Sequence, residues 1–114
     1  MELQYSEWEN NISLIKLIGR LDLIGKGEIE TKFAGDCSGE KARVVVDLSG
    51  VDFLASIGIR LLVLTAKSIA SRGGKMALLN PTPEVQSVLE ITGIPDIIPI
   101  YSHLESAEAV LMAP

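Results

Sequence analysis

Ser56 is the residue of this 114-residue chain whose neighbours most suggest chemistry. It follows the run Arg43-Val44-Val45-Val46-Asp47-Leu48 and its extension Val51-Asp52-Phe53-Leu54, and it opens the most apolar helical pattern in the chain. A hydroxyl at such a junction lies beside backbone amides that have no acceptor inside the helix. A phosphate placed there meets the positive end of a helix dipole, equivalent to about half a unit charge. Gly58, two residues on, has no side chain to obstruct an approaching group. The plainer role for a serine in this position is an ordinary N-cap, worth ~1 kcal/mol.

Three carboxylates, Asp22, Asp47 and Asp52, fall near strand ends, where the functional crevice of a parallel sheet lies. For Asp47 and Asp52 the simpler expectation is hydrogen bonding to backbone amides in the turn around Ser49-Gly50, so Asp22 alone keeps functional interest. No Gly-rich loop ends in Gly-Lys-Ser or Gly-Lys-Thr; Gly73-Gly74-Lys75 follows a helical pattern and precedes a strand, the wrong order for a phosphate cradle. No serine sits in a Gly-x-Ser-x-Gly elbow. The single Cys37 excludes an internal disulfide, and with the single His103 it provides no set of zinc ligands. Cys37, between Asp36 and Ser38, reads as a passive loop thiol, and His103 as an exposed loop residue. The expectation is a protein without metal or cofactor that is not an enzyme.

Fifteen acidic against ten basic residues give a net charge of -5, and the basic residues are scattered singly, which disfavours binding along a nucleic acid. The most apolar region is interrupted by Arg60 and Lys67, so no membrane insertion is expected and a cytoplasmic protein is. A hydrophobic content of 47% suffices for one continuous core, so residues 1–114 are expected to form a single domain.

The elements that must position Ser56 follow from the patterning. Asn10-Asn11 joins a strand near Leu3 to Trp8 with a second over Ile12 to Leu21, an N-terminal antiparallel hairpin. Apolar residues at Ile24, Ile29 and Phe33 predict a helix ending around Gly35, weakened at its start by Gly25 and Gly27. The unbroken run from Arg43 to Leu48, closed by Ser49-Gly50, reads as a strand covered on both faces. A helix from Ser56 to about Ser71, a strand Lys75 to Leu79 and a helix capped by Thr82 with Pro83 in its first turn and ending at Gly93 come next. Asp96 to Tyr101 reads as an edge strand, because Pro99 cannot donate to a ladder, and Leu104 to Met112 as a closing helix. The predicted architecture is an α/β sandwich: a four- to five-stranded, mostly parallel mixed sheet with about four helices.

On the helix after Ser56, an angular step of about 100° per residue places Gly58, Ile59, Leu62, Val63, Ala66, Ile69 and Ala70 on the arc that faces the sheet. Ile57, Leu61 and Leu64 fall on the other side, among Arg60 and Lys67. An apolar stripe rimmed by polar residues marks a partner surface, unless another element of the fold covers it.

Taken in order, Gly19-Arg20-Leu21-Asp22, Val44 through Val51, Phe53-Leu54-Ala55-Ser56-Ile57-Gly58-Ile59 and Gly73-Gly74-Lys75 resemble the STAS domain of bacterial anti-sigma factor antagonists over nearly the whole chain. The resemblance implies an antagonist that binds a serine kinase serving also as the anti-sigma factor, thereby freeing the sigma factor for transcription. It implies phosphorylation at Ser56, which releases the antagonist, and a phosphatase that restores it. Asp22 and Gly58 are the positions near the phosphosite, and Ile57, Arg60, Leu61 and Leu64 are the expected partner-binding residues. Where the family commonly has Asp-Ser-Ser-Gly or Asp-Ser-Thr-Gly, this chain has Ala55-Ser56-Ile57-Gly58, which leaves Ser56 the sole acceptor hydroxyl. The alternative is a constitutive STAS scaffold or the soluble STAS subunit of a membrane transport complex, unphosphorylated. A monomer or weak homodimer is expected.

Overall fold

The computed structural model describes residues 1–114. Strand β1 (Glu2–Trp8) pairs antiparallel with β2 (Ile12–Leu21), Trp8 opposite Ile12 and Glu2 opposite Ile18. The turn between them places Asn10 and Asn11 at φ 63° and 59°, the left-handed region that asparagine tolerates better than most residues. Parallel pairing then adds β3 (Arg43–Leu54), β4 (Lys75–Leu79) and the two-residue β5 (Ile100–Tyr101), in the order β1-β2-β3-β4-β5. The helices between and after the parallel strands are α1 (Leu23–Asp36), α2 (Ser56–Ser71), α3 (Pro83–Ile91) and α4 (Leu104–Leu111). The five-stranded mixed sheet, the antiparallel hairpin and the four helices are the fold expected from the sequence.

Strand β3 explains why its sequence does not alternate. Val44, Val46 and Leu48 point into a core built with Ile29 and Phe33 of α1, Leu62 and Ile69 of α2, and Val85 and Leu89 of α3. Val45 points the other way, into a smaller cluster with Ile12, Ala77 and Leu79 of the sheet and Ala107 and Leu111 of α4. Both faces are covered, so both parities are apolar. Val45 is fully buried. Val45→Ala is expected to lower stability by about 1–3 kcal/mol through lost burial and the cavity left behind, read as a lower denaturant midpoint at unchanged slope. An unchanged midpoint would show that α4 does not seal this face.

Several boundaries differ from the sequence expectation. Ser49-Gly50 does not close β3, which runs on to Leu54 across two shifts of register against β2, between Lys16 and Ile18 and between Gly19 and Arg20. Asp47 does bond the backbone there, its Oδ1 accepting from Ser49 N at 2.9 Å, but Asp52 is exposed and bonds nothing. The strand expected over Asp96 to Tyr101 is reduced to Ile100–Tyr101. Gly93, at φ 75°, leads into a 3-10 turn over Ile94–Asp96, and the amides of Ile97 and Ile98 both donate to Ile94 O at 2.8 Å instead of to a neighbouring strand. Cys37 is not a loop thiol: it is the buried C-cap residue of α1, and burial, aided by Asp36 and opposed by Arg72, pushes its pKa up to about 12.

Candidate partner-binding site at the start of helix α2

The carboxyl ends of β2 and β3 are tied together by their last residues. Leu21 and Leu54 are register partners, and Ala55 N donates to Leu21 O at 3.0 Å. One residue beyond each lie Asp22 and Ala55, the N-cap positions of α1 and α2, so the pairing of two strands brings two helix starts side by side.

The two starts are capped differently. Asp22 Oδ1 accepts from Gly25 N at 2.8 Å, and that bond, with help from Arg20 and against the effect of burial, holds the carboxyl below the usual aspartate range. The stabilisation that follows is present at neutral pH and is lost as acid titrates through the lowered pKa. Asp22 is thus occupied as a cap, beside the phosphosite candidate through strand register.

At α2 the cap residue is Ala55, which has no side-chain acceptor to offer, and its carbonyl takes bonds from Gly58 N at 2.9 Å and Ile59 N at 3.1 Å. Ser56 is therefore not the N-cap but the first helical residue. It is exposed, its hydroxyl makes no hydrogen bond within the protein, and the amides of Ser56 and Ile57 have no acceptor. A nucleophilic oxygen and two orphan donors are presented to solvent at the positive end of a 16-residue helix.

Gly58 has a different purpose from the one its sequence position suggests. A Cβ there would lie 2.6 Å from Leu21 Cγ and 2.8 Å from Leu21 O, so the missing side chain lets α2 settle onto the end of β2. It does not leave room for an incoming group.

Alongside Ser56, Ile57, Arg60, Leu61 and Leu64 of α2 and Lys26 and Glu30 of α1 line an open groove of about 350 Å³. The four predicted partner-binding residues are brought together, but the stripe is not wholly free. Helix α1 flanks it, with Lys26 Nζ held 3.0 Å from Glu30 Oε2; Ile57 and Leu61 are half-buried, and Leu61 packs against the main core. Leu64 remains 52% exposed, and Arg60 is exposed without an ion-pair partner. On the sheet-facing side Gly58, Leu62 and Ile69 are buried and Ile59, Val63 and Ala66 half-buried, but Ala70, expected in the core, is exposed.

One pair escaped sequence reasoning. The guanidinium of Arg20 lies over the Phe53 ring, 4.1 Å from its centroid, while its Nε is 3.4 Å from Asp22 Oδ2. The two residues are cross-strand neighbours through a shifted register, and no local pattern reveals that. His103 is exposed, as expected, in the N-cap position of α4, where its side chain makes no capping bond. No three His, Cys, Asp or Glu side chains converge as metal ligands, and no helix is long and apolar enough to cross a membrane.

The solvated Ser56 hydroxyl opens a helix that also lines a groove of mixed apolar and charged residues, on a sheet with helices on both faces. Residues 7–107 match the STAS domain, and the chain belongs to that family. It is 33% identical over 82 residues to BtrV of Bordetella bronchiseptica, covering 72% of this chain and 71% of that one. An anti-sigma-factor antagonist STAS domain protein from Planctomyces limnophilus superposes with a TM-score of 0.83 at 26% identity, over 97% of this chain and 98% of the other. The Bacillus cell fate determinant SpoIIAA in its phosphorylated form shares the fold, with a TM-score of 0.69 at 21% identity over 96% and 99% of the two chains. The STAS anti-sigma antagonists are regulatory binding proteins, not enzymes, and this chain stands among them.

Proposed function

We propose that residues 1–114 act as one STAS unit in the cytoplasm, an anti-sigma factor antagonist that binds an anti-sigma factor over Ile57, Arg60, Leu61 and Leu64 and is switched off by phosphorylation of Ser56. In this reading the anti-sigma factor is itself the serine kinase, a phosphatase restores the free hydroxyl, and sigma-factor-dependent transcription follows the balance of the two. The observation that carries it is the exposed, unbonded Ser56 hydroxyl, one residue before the groove-lining Ile57 and next to two amides without acceptors. The names of the relatives support the antagonist role, and the phosphorylated form of SpoIIAA supports a covalent switch on this fold.

The physical logic is a difference between two environments. In the free protein a phosphate, with a charge of about -1.5 to -2 at pH 7, is stabilised by the helix dipole and by water. Under a partner that covers the groove, the same charge loses its water. Ile57 and Ala55 flank Ser56 without hydroxyl or carboxylate, so modification at this turn has a single address.

Mass spectrometry of the protein isolated from its own cells is expected to find phosphate on Ser56 and none in a Ser56→Ala variant. With the serine kinase encoded nearest to it as partner, Leu64→Lys is expected to weaken binding by about 2 kcal/mol or more, as loss of a groove anchor does. Leu64 is the better probe than Leu61, whose side chain packs on the core and whose replacement would disturb folding as well. Unmodified Ser56 together with unaltered binding by Leu64→Lys would leave the constitutive scaffold, or the soluble subunit of a membrane transport complex, in its place.

A further inference from the structure

The two edges of the sheet are finished differently. At one edge β5 is two residues long and follows Pro99, which has no N–H to donate, so little ladder is left open there. At the other edge β1 is seven residues long and pairs with β2 residue for residue from Glu2 to Trp8, with no shift of register. One side of its ladder is filled by β2; on the other side alternate residues hold N–H and C=O groups that no strand meets. Proteins blunt such an edge with lysine, proline or a bulge, and Glu-Leu-Gln-Tyr-Ser-Glu-Trp has none of the three. Its only charges, Glu2 and Glu7, lie towards the two ends.

The side chains along this edge suit a second copy of themselves. Tyr5, at the midpoint of β1, is 40% exposed, and Trp8, at its end, 37%. A two-fold axis perpendicular to the sheet at Tyr5 brings an identical β1 alongside, antiparallel, and sets residues of equal parity opposite each other. Tyr5 then meets Tyr5 of the second copy, Leu3 meets Glu7, Gln4 meets Ser6 and Glu2 meets Trp8. No carboxylate faces a carboxylate, Glu2 gains an indole N–H as donor, and Gln4 and Ser6 pair donor with acceptor. Within each copy Glu2 accepts from Gln4 Nε2 at 2.7 Å and Glu7 from the Tyr5 hydroxyl at 3.3 Å, which holds both carboxylates along their own strand. Lys32 Nζ, 5.5 Å from the Tyr5 ring centroid, is paired with Asp36 at 3.0 Å, so no unpaired cation of α1 is brought to the axis. Sliding the strands to the next axis of the same parity, at Gln4 or Ser6, leaves two residues of each β1 unpaired.

We propose that β1 is the seam of a reversible homodimer, in which the β1 strands of two copies pair antiparallel about Tyr5 and join the two sheets into one. Main-chain bonds supply the affinity, and the aromatic pair at the axis with its flanking unlike pairs sets the register. A seam of two strands is small beside the ~800 Å² per partner of a standard interface, so the dimer forms and parts with concentration. Lys26 and Glu30 flank the groove beside Ser56 from the face of α1 turned to α2, whereas Lys32 is turned to β1, so dimerisation leaves both grooves open. The dimer is thus independent of the proposed antagonist role.

The test is sedimentation velocity on the full chain from ~10 μM to ~1 mM, with amide-resolved NMR over the same range. The mass is expected to climb from monomer towards dimer. The outward-facing amides of β1, every second residue of the strand, are expected to shift and to exchange with solvent about tenfold more slowly at the high end. Tyr5→Glu sets two carboxylates face to face at the axis and is expected to weaken the dimer about tenfold or more, with the circular dichroism spectrum unchanged. Gln4→Lys with Ser6→Glu places unlike charges opposite each other twice and is expected to tighten it several-fold, whereas Gln4→Glu with Ser6→Glu places like charges there and is expected to weaken it. A monomer at ~1 mM would overturn the proposal, as would equal dimerisation by the two double variants. So would a dimer that survives Tyr5→Glu and is lost in Leu64→Lys, which would seat the second copy on the groove beside Ser56 instead of on β1.

Discussion

Ser56→Glu is expected to bind the proposed partner, an anti-sigma factor that is also a serine kinase, about 100-fold more weakly than wild type, or worse, while melting and circular dichroism stay as they were. The fold is indifferent because a carboxylate in the first turn of α2 is favourable to the helix dipole by up to about 1 kcal/mol and displaces no buried group: Ser56 is exposed and its hydroxyl bonds nothing. The complex is not indifferent. A charge desolvated without a partner costs about 3–5 kcal/mol, and part of that is recovered from the free amides of Ser56 and Ile57, so a net loss of about 3 kcal/mol, or ~100-fold, is the reasonable scale. Phosphoserine, with nearly twice the charge, falls further. Ser56→Ala retains affinity and resists the kinase. Calorimetry on the three proteins decides, and wild-type affinity in Ser56→Glu would remove the switch from the proposed function while leaving the fold and the family untouched.

The largest expected effect on stability comes from a single added methyl group. Gly25→Ala would put a Cβ 2.0 Å from the carbonyl oxygen of Arg20 and 3.4 Å from Asp22 Oδ1, and a backbone oxygen cannot turn aside as a side-chain end can. The start of α1 must lift from the end of β2, and the Asp22 cap on Gly25 N goes with it. We expect a loss of about 3 kcal/mol or more, the upper range for overpacking plus a lost cap. Gly58→Ala, at 2.6 Å from Leu21 Cγ, has a flexible neighbour on one side and is expected to cost less, about 1–3 kcal/mol. Gly27 is the internal control. It lies in the same helix with nothing within 4 Å of its added Cβ, so Gly27→Ala is expected to stabilise by up to ~1 kcal/mol. Urea midpoints for the three variants test the account, and a Gly25→Ala protein as stable as Gly27→Ala would refute the close approach of α1 to β2.

The hairpin, the parallel strands and the helices were legible from residues 1–114 because each depends on neighbours close in sequence. Asparagine pairs suit positive φ, unbroken β-branched runs such as Val44-Val45-Val46 suit a strand covered on both faces, and Thr82-Pro83 starts a helix whatever lies across from it. Ser56 as an exposed hydroxyl at a helix start was legible for the same reason. What the tertiary structure alone decided depends on which distant element arrives and in what register. Leu21 against Leu54 made Ala55, not Ser56, the cap, and turned Gly58 from an opening into a packing contact. Helix α1 covered half of a stripe that the periodicity of α2 could only mark as apolar. The winding of Ile97 and Ile98 back onto Ile94 shortened a strand that its composition supports, so that Met76 has a ladder partner in β3 alone. Sequence periodicity reports which residues prefer burial or extension; close packing and strand register, set between segments far apart along the chain, determine which of those preferences are satisfied and which remain available to a partner.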